Sequence, residues 1–103
     1  MQALVAISKQ EAVKAAVDEV VAALAPHVIY IRHEFSDDWS GEPAIYFRVL
    51  LTDEASREEN LHPIAQQVRL MLDDRLDLRE MGYSYVRFRS FSEQQMIKES
   101  EWY

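Results

Sequence analysis

The 103-residue chain has the size and composition of one folded domain, with 49% hydrophobic and 28% charged residues. Its formal net charge of -7 argues against general binding to nucleic acids or acidic membranes, because a negative body repels phosphate groups at long range. Cysteine is absent, which excludes disulfides, thiolate metal sites and a cysteine nucleophile. We expect a single domain over residues 1–103 in a reducing cytoplasm, with no signal peptide and no membrane span.

The first predicted element is a helix over about residues 9–25. Ser8 and Glu11 form the S-x-x-E pattern of a capping box at its start. Apolar residues then recur at steps of three and four, which is typical of one buried helix face: Val13, Ala16, Val17, Val20, Val21 and Leu24. Pro26 ends the helix, because the residue before a proline avoids helical backbone angles.

Two strands joined by a polar loop come next. Residues 28–35 and 44–52 are rich in β-branched and aromatic residues, and their polarity alternates with a period of two. The segment between them, residues 36–43, consists of residues that favour turns. A loop of this length between two such runs predicts an antiparallel hairpin.

A second helix is predicted to begin either at Ser56, which forms another S-x-x-E pair with Glu59, or at Asn60. Pro63 fits the first turn in either case, and Gly82 is the natural end of the helical region. The buried face is again apolar at helical spacing: Leu61, Ile64, Ala65, Val68, Met71, Leu72 and Leu76.

Residues 83–89 alternate in polarity once more and predict a third strand. Ser92 and Gln95 form a last capping pair, which predicts a short final helix. The order α-β-β-α-β-α predicts an α+β fold, a two-layer sandwich with a three-stranded, mostly antiparallel sheet and its helices on one face.

The strands carry an unusual set of side chains on the parity that faces away from the predicted helices. Ile29, Ile31, His33 and Phe35 of the first strand are expected to face the helices, and Val28 to lie on the other side. In the second strand Ala44 and Leu50 are also expected outside. The rest of the outward set consists of tyrosines, arginines and one acid: Tyr30, Arg32, Glu34, Tyr46, Arg48, Tyr83, Tyr85, Arg87 and Arg89.

Tyrosine and arginine are enriched at binding hot spots, because each offers a large contact area with a polar tip. This pattern favours a surface for a protein partner, either a second copy or another protein. The same side chains also stack on nucleobases, so a platform for single-stranded nucleic acid is an alternative, which the negative net charge disfavours. An ordinary solvated sheet face is the third interpretation, because tyrosine and arginine pair well across strands.

The loop between the first two strands contains one tryptophan and three acids, Asp37, Asp38 and Glu42, and Glu34 lies close by in the first strand. Carboxylates at this density suggest, as a second hypothesis, a metal-dependent enzyme or regulator, although no calcium-loop pattern is present and acidic turns are common. Trp39 stands between acids and is a candidate partner contact, as are Trp102 and Tyr103 near the end of the chain. The three histidines lack metal-ligand spacing, and no serine lies in a nucleophile motif.

The hairpin, with its acidic loop followed by residues 42–50 in the order Glu-Pro-Ala-Ile-Tyr-Phe-Arg-Val-Leu, resembles the core hairpin of small nucleotidyltransferase-like proteins. These are bacterial proteins of the type that act as antitoxin partners of HEPN-domain toxins. The resemblance covers about residues 28–89 and implies a binding role in a bacterial cytoplasm. Such transferases carry a Gly-Ser pair and a D-x-D motif, both of which are missing here, so the resemblance implies no nucleotidyl transfer.

We therefore expect a non-catalytic protein-binding module, or the acidic partner subunit of another bacterial protein, acting as a homodimer or in an antitoxin-like manner. No cofactor, metal ligand or catalytic residue is predicted. The predicted partner-binding residues are Tyr30, Arg32, Trp39, Tyr46, Arg48, Tyr83, Tyr85, Arg87 and Arg89.

Overall fold

The structure is a computed structural model that describes residues 2–76 and 83–97, with the side chains of the first helix described from Lys9 onward. Six elements follow one another along the chain: α1 (Gln2–Ala23), β1 (Val28–Asp37), β2 (Pro43–Leu51), α2 (Glu58–Arg75), β3 (Tyr83–Ser90) and α3 (Phe91–Ile97). This order confirms the predicted α+β class.

The three strands form one mixed sheet in the order β1-β2-β3. The predicted hairpin is confirmed, since β1 and β2 pair antiparallel. Strand β3 pairs with β2 in parallel, which differs from the mostly antiparallel sheet that we predicted. The physical reason is the helix between them: α2 carries the chain back along the sheet, so that β3 runs in the direction of β2.

The hydrophobic core lies between the sheet and the two long helices. Helix α1 contributes Val13, Ala16, Val17 and Val20, all at most 4% exposed. The other buried apolar side chains of the core come from the sheet, the β2–α2 turn and the α2 region: Val28, Ile31, Ile45, Phe47, Val49, Leu51, Ala55, Ile64, Val68, Leu72 and Leu76. Both helices therefore pack on the same face of the sheet, as predicted.

The starts of the first two helices differ from the predicted ones. Helix α1 begins at Gln2, so Ser8 and Glu11 lie inside it and the predicted capping box is wrong. Residues 2–7 contain no glycine or proline to prevent the helix from extending. Helix α2 begins after Arg57, which provides no side-chain cap, and Pro63 is the sixth helical residue rather than one of the first turn.

Ser56, the predicted cap of α2, has a different role. Its hydroxyl donates to the Thr52 carbonyl at 3.1 Å, and the Thr52 hydroxyl accepts from the Ala55 N–H at 3.1 Å. These bonds organise the turn that leads from β2 to α2. At its other end α2 finishes at Arg75, with the next residue in an extended conformation, and the predicted stop at Gly82 lies outside the described residues.

The short helix α3 has a complete capping box, but two residues earlier than predicted. The Glu93 N–H donates to the Ser90 hydroxyl at 3.1 Å, and the Ser90 N–H donates to the Glu93 carboxylate at 3.2 Å. The predicted cap Ser92 instead donates its N–H, at 2.9 Å, and its hydroxyl to the carboxylate of Asp53 in the β2–α2 turn. These bonds lower the pKa of Asp53 and attach the start of α3 to that turn.

The beginning of β1 departs from strict alternation. The register shifts between Val28 and Tyr30, so that Val28 is 2% exposed and Ile29 is 40% exposed. The prediction had these two residues on the opposite faces. An irregularity of this kind inserts an extra residue into one strand, which reverses the parity on one side of it.

Candidate functional site

The side chains on the sheet face opposite α1 and α2 form four rows across the strands, as fixed by the register of the pairs. From the hairpin end, the rows are Ser36-Ala44-Tyr83, Glu34-Tyr46-Tyr85, Arg32-Arg48-Arg87 and Tyr30-Leu50-Arg89. We call this surface the Tyr/Arg face. Eight of the nine predicted partner-binding residues lie on it, and the ninth, Trp39, lies in the adjoining hairpin loop.

Three arginines stand side by side at the centre of the face. Arg48 of the central strand is paired in register with Arg32 on β1 and with Arg87 on β3. Neighbouring strands are about 4.8 Å apart, so the row crosses the sheet within roughly 10 Å at the backbone. Arg32 and Arg87 are exposed, and Arg48 is partly buried. We call these residues the arginine row.

Within the residues that the structure describes, one arginine of the row has a carboxylate partner. The Arg48 guanidinium lies 3.1 Å from the Glu34 carboxylate on β1, with the Arg48 side chain 17% exposed and Glu34 54% exposed. Arg32 instead lies over the ring of Tyr30, with its guanidinium carbon 6.0 Å from the ring centre. The row therefore holds three positive charges beside a single acid.

Two tyrosines stack next to the arginine row. The rings of Tyr46 and Tyr85 are register partners, 5.1 Å apart between centres and inclined by 17°. Both rings are partly buried, whereas Tyr83 in the next row is 59% exposed. Stacking limits the rotamers of two large side chains, so their contact surface is ordered before any partner arrives.

Asp38 fixes the hairpin loop against the Tyr/Arg face. Its carboxylate accepts hydrogen bonds from the Ser40 hydroxyl at 2.6 Å and N–H at 2.9 Å, from the Glu42 N–H at 3.1 Å and from the Tyr85 hydroxyl at 3.0 Å. Gly41 completes the turn with a φ of 84°, a conformation that side-chain-bearing residues rarely adopt. The loop is therefore an ordered extension of the face.

The hydrogen bonds of Asp38 shift two pKa values. The bond from the Ser40 hydroxyl is the main reason that the pKa of Asp38 lies below its ordinary value of 3.8, against an opposing effect of desolvation. The bond to Asp38 is in turn the main cause that raises the pKa of the Tyr85 phenol above 10.0. Asp38 is thus ionised and Tyr85 protonated at neutral pH, which is the combination that this bond requires.

Trp39 projects from the ordered loop into solvent. Its side chain is 94% exposed, although the preceding residue, Asp38, is 8% exposed. A large aromatic side chain of this exposure, held by an ordered neighbour, can bury most of its surface only against another molecule.

Two residues of the central strand are buried on the Tyr/Arg face, one near α3 and one near the hairpin. Leu50 is 3% exposed between Tyr30 and Arg89, and Ala44 near the hairpin is 2% exposed, whereas both were expected to be accessible. Both residues lie on the central strand, with Ser36 and Tyr83 as the register partners of Ala44. The Arg89 guanidinium donates to the Gln94 side chain of α3 at 2.9 Å, and Gln94 itself is 1% exposed.

The acidic loop does not assemble a metal-binding group among residues 2–76 and 83–97. No three carboxylate or histidine side chains come together there, and the oxygens of Asp38 are engaged in the bonds that shape the loop. His33 lies elsewhere, on the helix side of the sheet, with its ring edge-on to Phe35. Partial burial is the main cause that lowers the pKa of His33, and nearby Lys14 adds to it.

Sequence reasoning found the tyrosines and arginines of the face but missed three residues that position them, namely Glu34, Asp38 and Gln94. Glu34 was assigned to the correct side without a partner, although its diagonal position to Arg48 follows from the hairpin register. The pattern Asp38-x-Ser40 is a signal for an Asx-type turn. The contact with Gln94 has no signal in the sequence.

Among known proteins, no family model, no curated protein and no solved structure matches the chain. In the part of the chain that the structure describes, none of the helices combines the length and the apolar character needed to cross a membrane.

Proposed function

We propose that this protein is a non-catalytic binding protein, which engages a partner protein through the Tyr/Arg face and Trp39. The partner is a second copy of the chain or another protein of the same cell. The resemblance of the hairpin to antitoxin-type proteins suggests the second case, in which the chain is the acidic subunit of a complex.

The observation that carries this proposal is the composition of the Tyr/Arg face and its adjoining loop. The centre of the face consists of stacked tyrosines and adjacent arginines, and the loop that Asp38 attaches to Tyr85 carries the exposed Trp39. Interface hot spots are enriched in these three residue types. The opposite face of the sheet packs against α1 and α2 through the hydrophobic core.

The internal bonds of the surface also support a binding role. Binding is weakened by the entropy that side chains lose when they become ordered, about 0.5–1.5 kcal/mol for each flexible side chain. Tyr85 is already held by Asp38 and Tyr46, and Arg48 by Glu34. A partner that docks here meets a surface whose centre, Tyr46, Tyr85 and Arg48, is ordered in advance.

The proposal is tested by light scattering after size exclusion, on the wild type and on the double variant Tyr46→Ala/Arg48→Ala. If the partner is a second copy, we expect a wild-type dimer that the double variant splits into monomers. A dimer of equal strength in the variant would exclude this face as the self-association surface. If both are monomers, the same variant is compared with the wild type for capture of other proteins.

A control variant and a control measurement distinguish the loss of the interface from a general loss of fold. Leu70→Ala removes an exposed apolar side chain, 59% exposed, from α2 on the other side of the sheet. We expect Leu70→Ala to leave association unchanged. Circular dichroism of every variant checks that the α+β fold is retained.

A further inference from the structure

The arginine row contains more positive charge than the described part of the chain neutralises. Arg48 shares the single carboxylate of Glu34, and neither Arg32 nor Arg87 forms an ion pair among the residues described. The chain as a whole has a net charge of -7. A local positive strip on an acidic body is a marked charge contrast, and it lies at the centre of the surface described above.

We propose that the arginine row binds the carboxylates of a short acidic segment in the partner protein. This inference rests on the proposed function, because it gives the chemistry of the partner at the same face. Arginine suits the task, because its planar guanidinium donates two parallel hydrogen bonds to one carboxylate. The contact between Arg48 and Glu34 shows that a carboxylate is accepted at this row.

The pairing register places like charges next to one another in the arginine row, which carboxylates from a partner would neutralise. Like charges directly opposite one another on a sheet are destabilising, and Arg48 has an arginine opposite it on each side. Partner carboxylates placed between Arg48 and its exposed neighbours Arg32 and Arg87 would turn these repulsive contacts into attractive ones. The gain is available only in the complex.

The surroundings of the row favour a short acidic segment over a long polyanion. The row is limited to three strands, about 10 Å across at the backbone. On its hairpin side it is followed by Glu34 and then by a loop that contains Asp37, Asp38 and Glu42. A nucleic-acid strand extending beyond the row would meet these acids and the negative body, whereas two or three carboxylates fit within the row.

The test uses a fluorescein-labelled hexaglutamate peptide, with hexaglutamine as the neutral control, and follows fluorescence anisotropy at low salt. We expect the wild type to bind hexaglutamate at least about tenfold more tightly than hexaglutamine. Arg87→Gln and Arg32→Gln should each weaken the binding of hexaglutamate about tenfold or more, since bonds to charged groups contribute strongly.

Arg57→Gln is the matched control, because it removes the same charge from an exposed residue that lies outside the sheet and has no ion pair among those described. It should leave the affinity within about twofold of the wild type. No binding of hexaglutamate at low salt, or equal losses for Arg57→Gln and Arg87→Gln, would overturn the proposal. Thermal unfolding of Arg87→Gln confirms that the variant is folded.

A hexathymidylate probe distinguishes carboxylates from phosphates. Tighter binding of hexathymidylate than of hexaglutamate, with the same dependence on Arg32 and Arg87, would overturn the assignment to an acidic protein segment. Failure of this proposal can be distinguished from failure of the proposed function. If the arginine row ignores hexaglutamate while Tyr46→Ala/Arg48→Ala still disrupts partner association, the face remains the interface and only its chemistry has been misassigned.

Discussion

A single carboxylate, that of Asp38, decides whether the hairpin loop and the Tyr/Arg face form one surface. Three of its hydrogen bonds, from Ser40 and Glu42, lie within the loop. The fourth, from Tyr85, joins the loop to β3. Asparagine would keep the size but lose the charge, and its NH2 group would replace one of the two oxygens that accept these bonds. The residue therefore supports the site without being exposed to a partner.

We expect Asp38→Asn to lower the melting temperature by several degrees at pH 7, since charge-assisted bonds are lost. The pKa of Asp38 is lower in the folded state, so its contribution is complete above about pH 5 and is lost as the pH falls through and below 3.8. The difference between variant and wild type should therefore shrink towards pH 3. Thermal unfolding at pH 7, 5 and 3 measures it.

Asp37→Asn is the matched control for this effect, because Asp37 is exposed and its carboxylate makes no hydrogen bond among the described residues. We expect its melting temperature to follow that of the wild type at all three pH values. A difference between Asp38→Asn and the wild type that stayed constant down to pH 3 would contradict the assigned role of the carboxylate.

Trp39 is expected to matter for binding and hardly at all for stability. Since the side chain is 94% exposed, Trp39→Ala should change the free energy of unfolding by no more than about 0.5 kcal/mol. Its loss should weaken association with the partner by at least about 1 kcal/mol if it is a hot spot. Urea unfolding and titration of the partner measure the two effects. Unchanged association, equal to that of Leu70→Ala, would remove Trp39 from the interface.

At the scale of elements, the short helix α3 depends on the bonds at its first turn. Ser90 and Glu93 cap each other, and Asp53 holds Ser92. We expect Ser90→Ala to cost about 0.5–2 kcal/mol in urea unfolding, because the cap of the helix is lost. Ser36→Ala, at an exposed serine of β1, should cost less than about 0.5 kcal/mol. Equal effects would show that the capping box contributes nothing specific.

The arginine row should make the isolated sheet less stable than it would otherwise be. Arg87→Gln removes one repulsive register contact with Arg48, so we expect it to raise the free energy of unfolding by up to about 1 kcal/mol. Salt screens such repulsion, and the gain should therefore decrease in 1 M sodium chloride. Urea unfolding at low and high salt measures both. A loss of stability at low salt would contradict the repulsion.

The composition of the Tyr/Arg face was predictable, because strands alternate with a period of two and residues 30–34, 44–50 and 83–89 show this period clearly. The arginine row was not predictable, because it depends on which residue of β3 lies opposite Arg48. That register is fixed by the parallel crossover through α2. The irregularity at Val28 also escaped prediction, since it breaks the period used to assign the faces.

Helix starts show a different limit of sequence reasoning. The S-x-x-E pattern occurs several times, and the structure uses Ser90 with Glu93 as a capping box but not Ser56 with Glu59. The four-residue sequences are alike, but their hydrogen bonds differ, since the Ser56 hydroxyl donates to the Thr52 carbonyl instead of capping α2. Where the helix begins depends on packing, because the apolar face of each helix must meet the sheet, and packing is not contained in a four-residue pattern.

At the scale of the whole molecule, charge and architecture assign different roles to the two sides of the sheet. One side packs against α1 and α2 over an apolar core, and the other presents tyrosine and arginine from an acidic body. In the proposed function, the surplus of acids disfavours polyanions, while the Tyr/Arg face provides a local attraction for an acidic partner. Association should therefore weaken as salt increases.

The most direct measurement compares three tagged baits in a lysate of the source cells that also contains the untagged chain. The baits are the wild type, Tyr46→Ala/Arg48→Ala on the Tyr/Arg face, and Arg57→Gln/Leu70→Ala outside it. We expect the wild type and the outside variant to retain the same partner, whether the untagged copy or another protein, and the face variant to lose it. Equal retention of that partner by all three folded baits would contradict binding through the Tyr/Arg face.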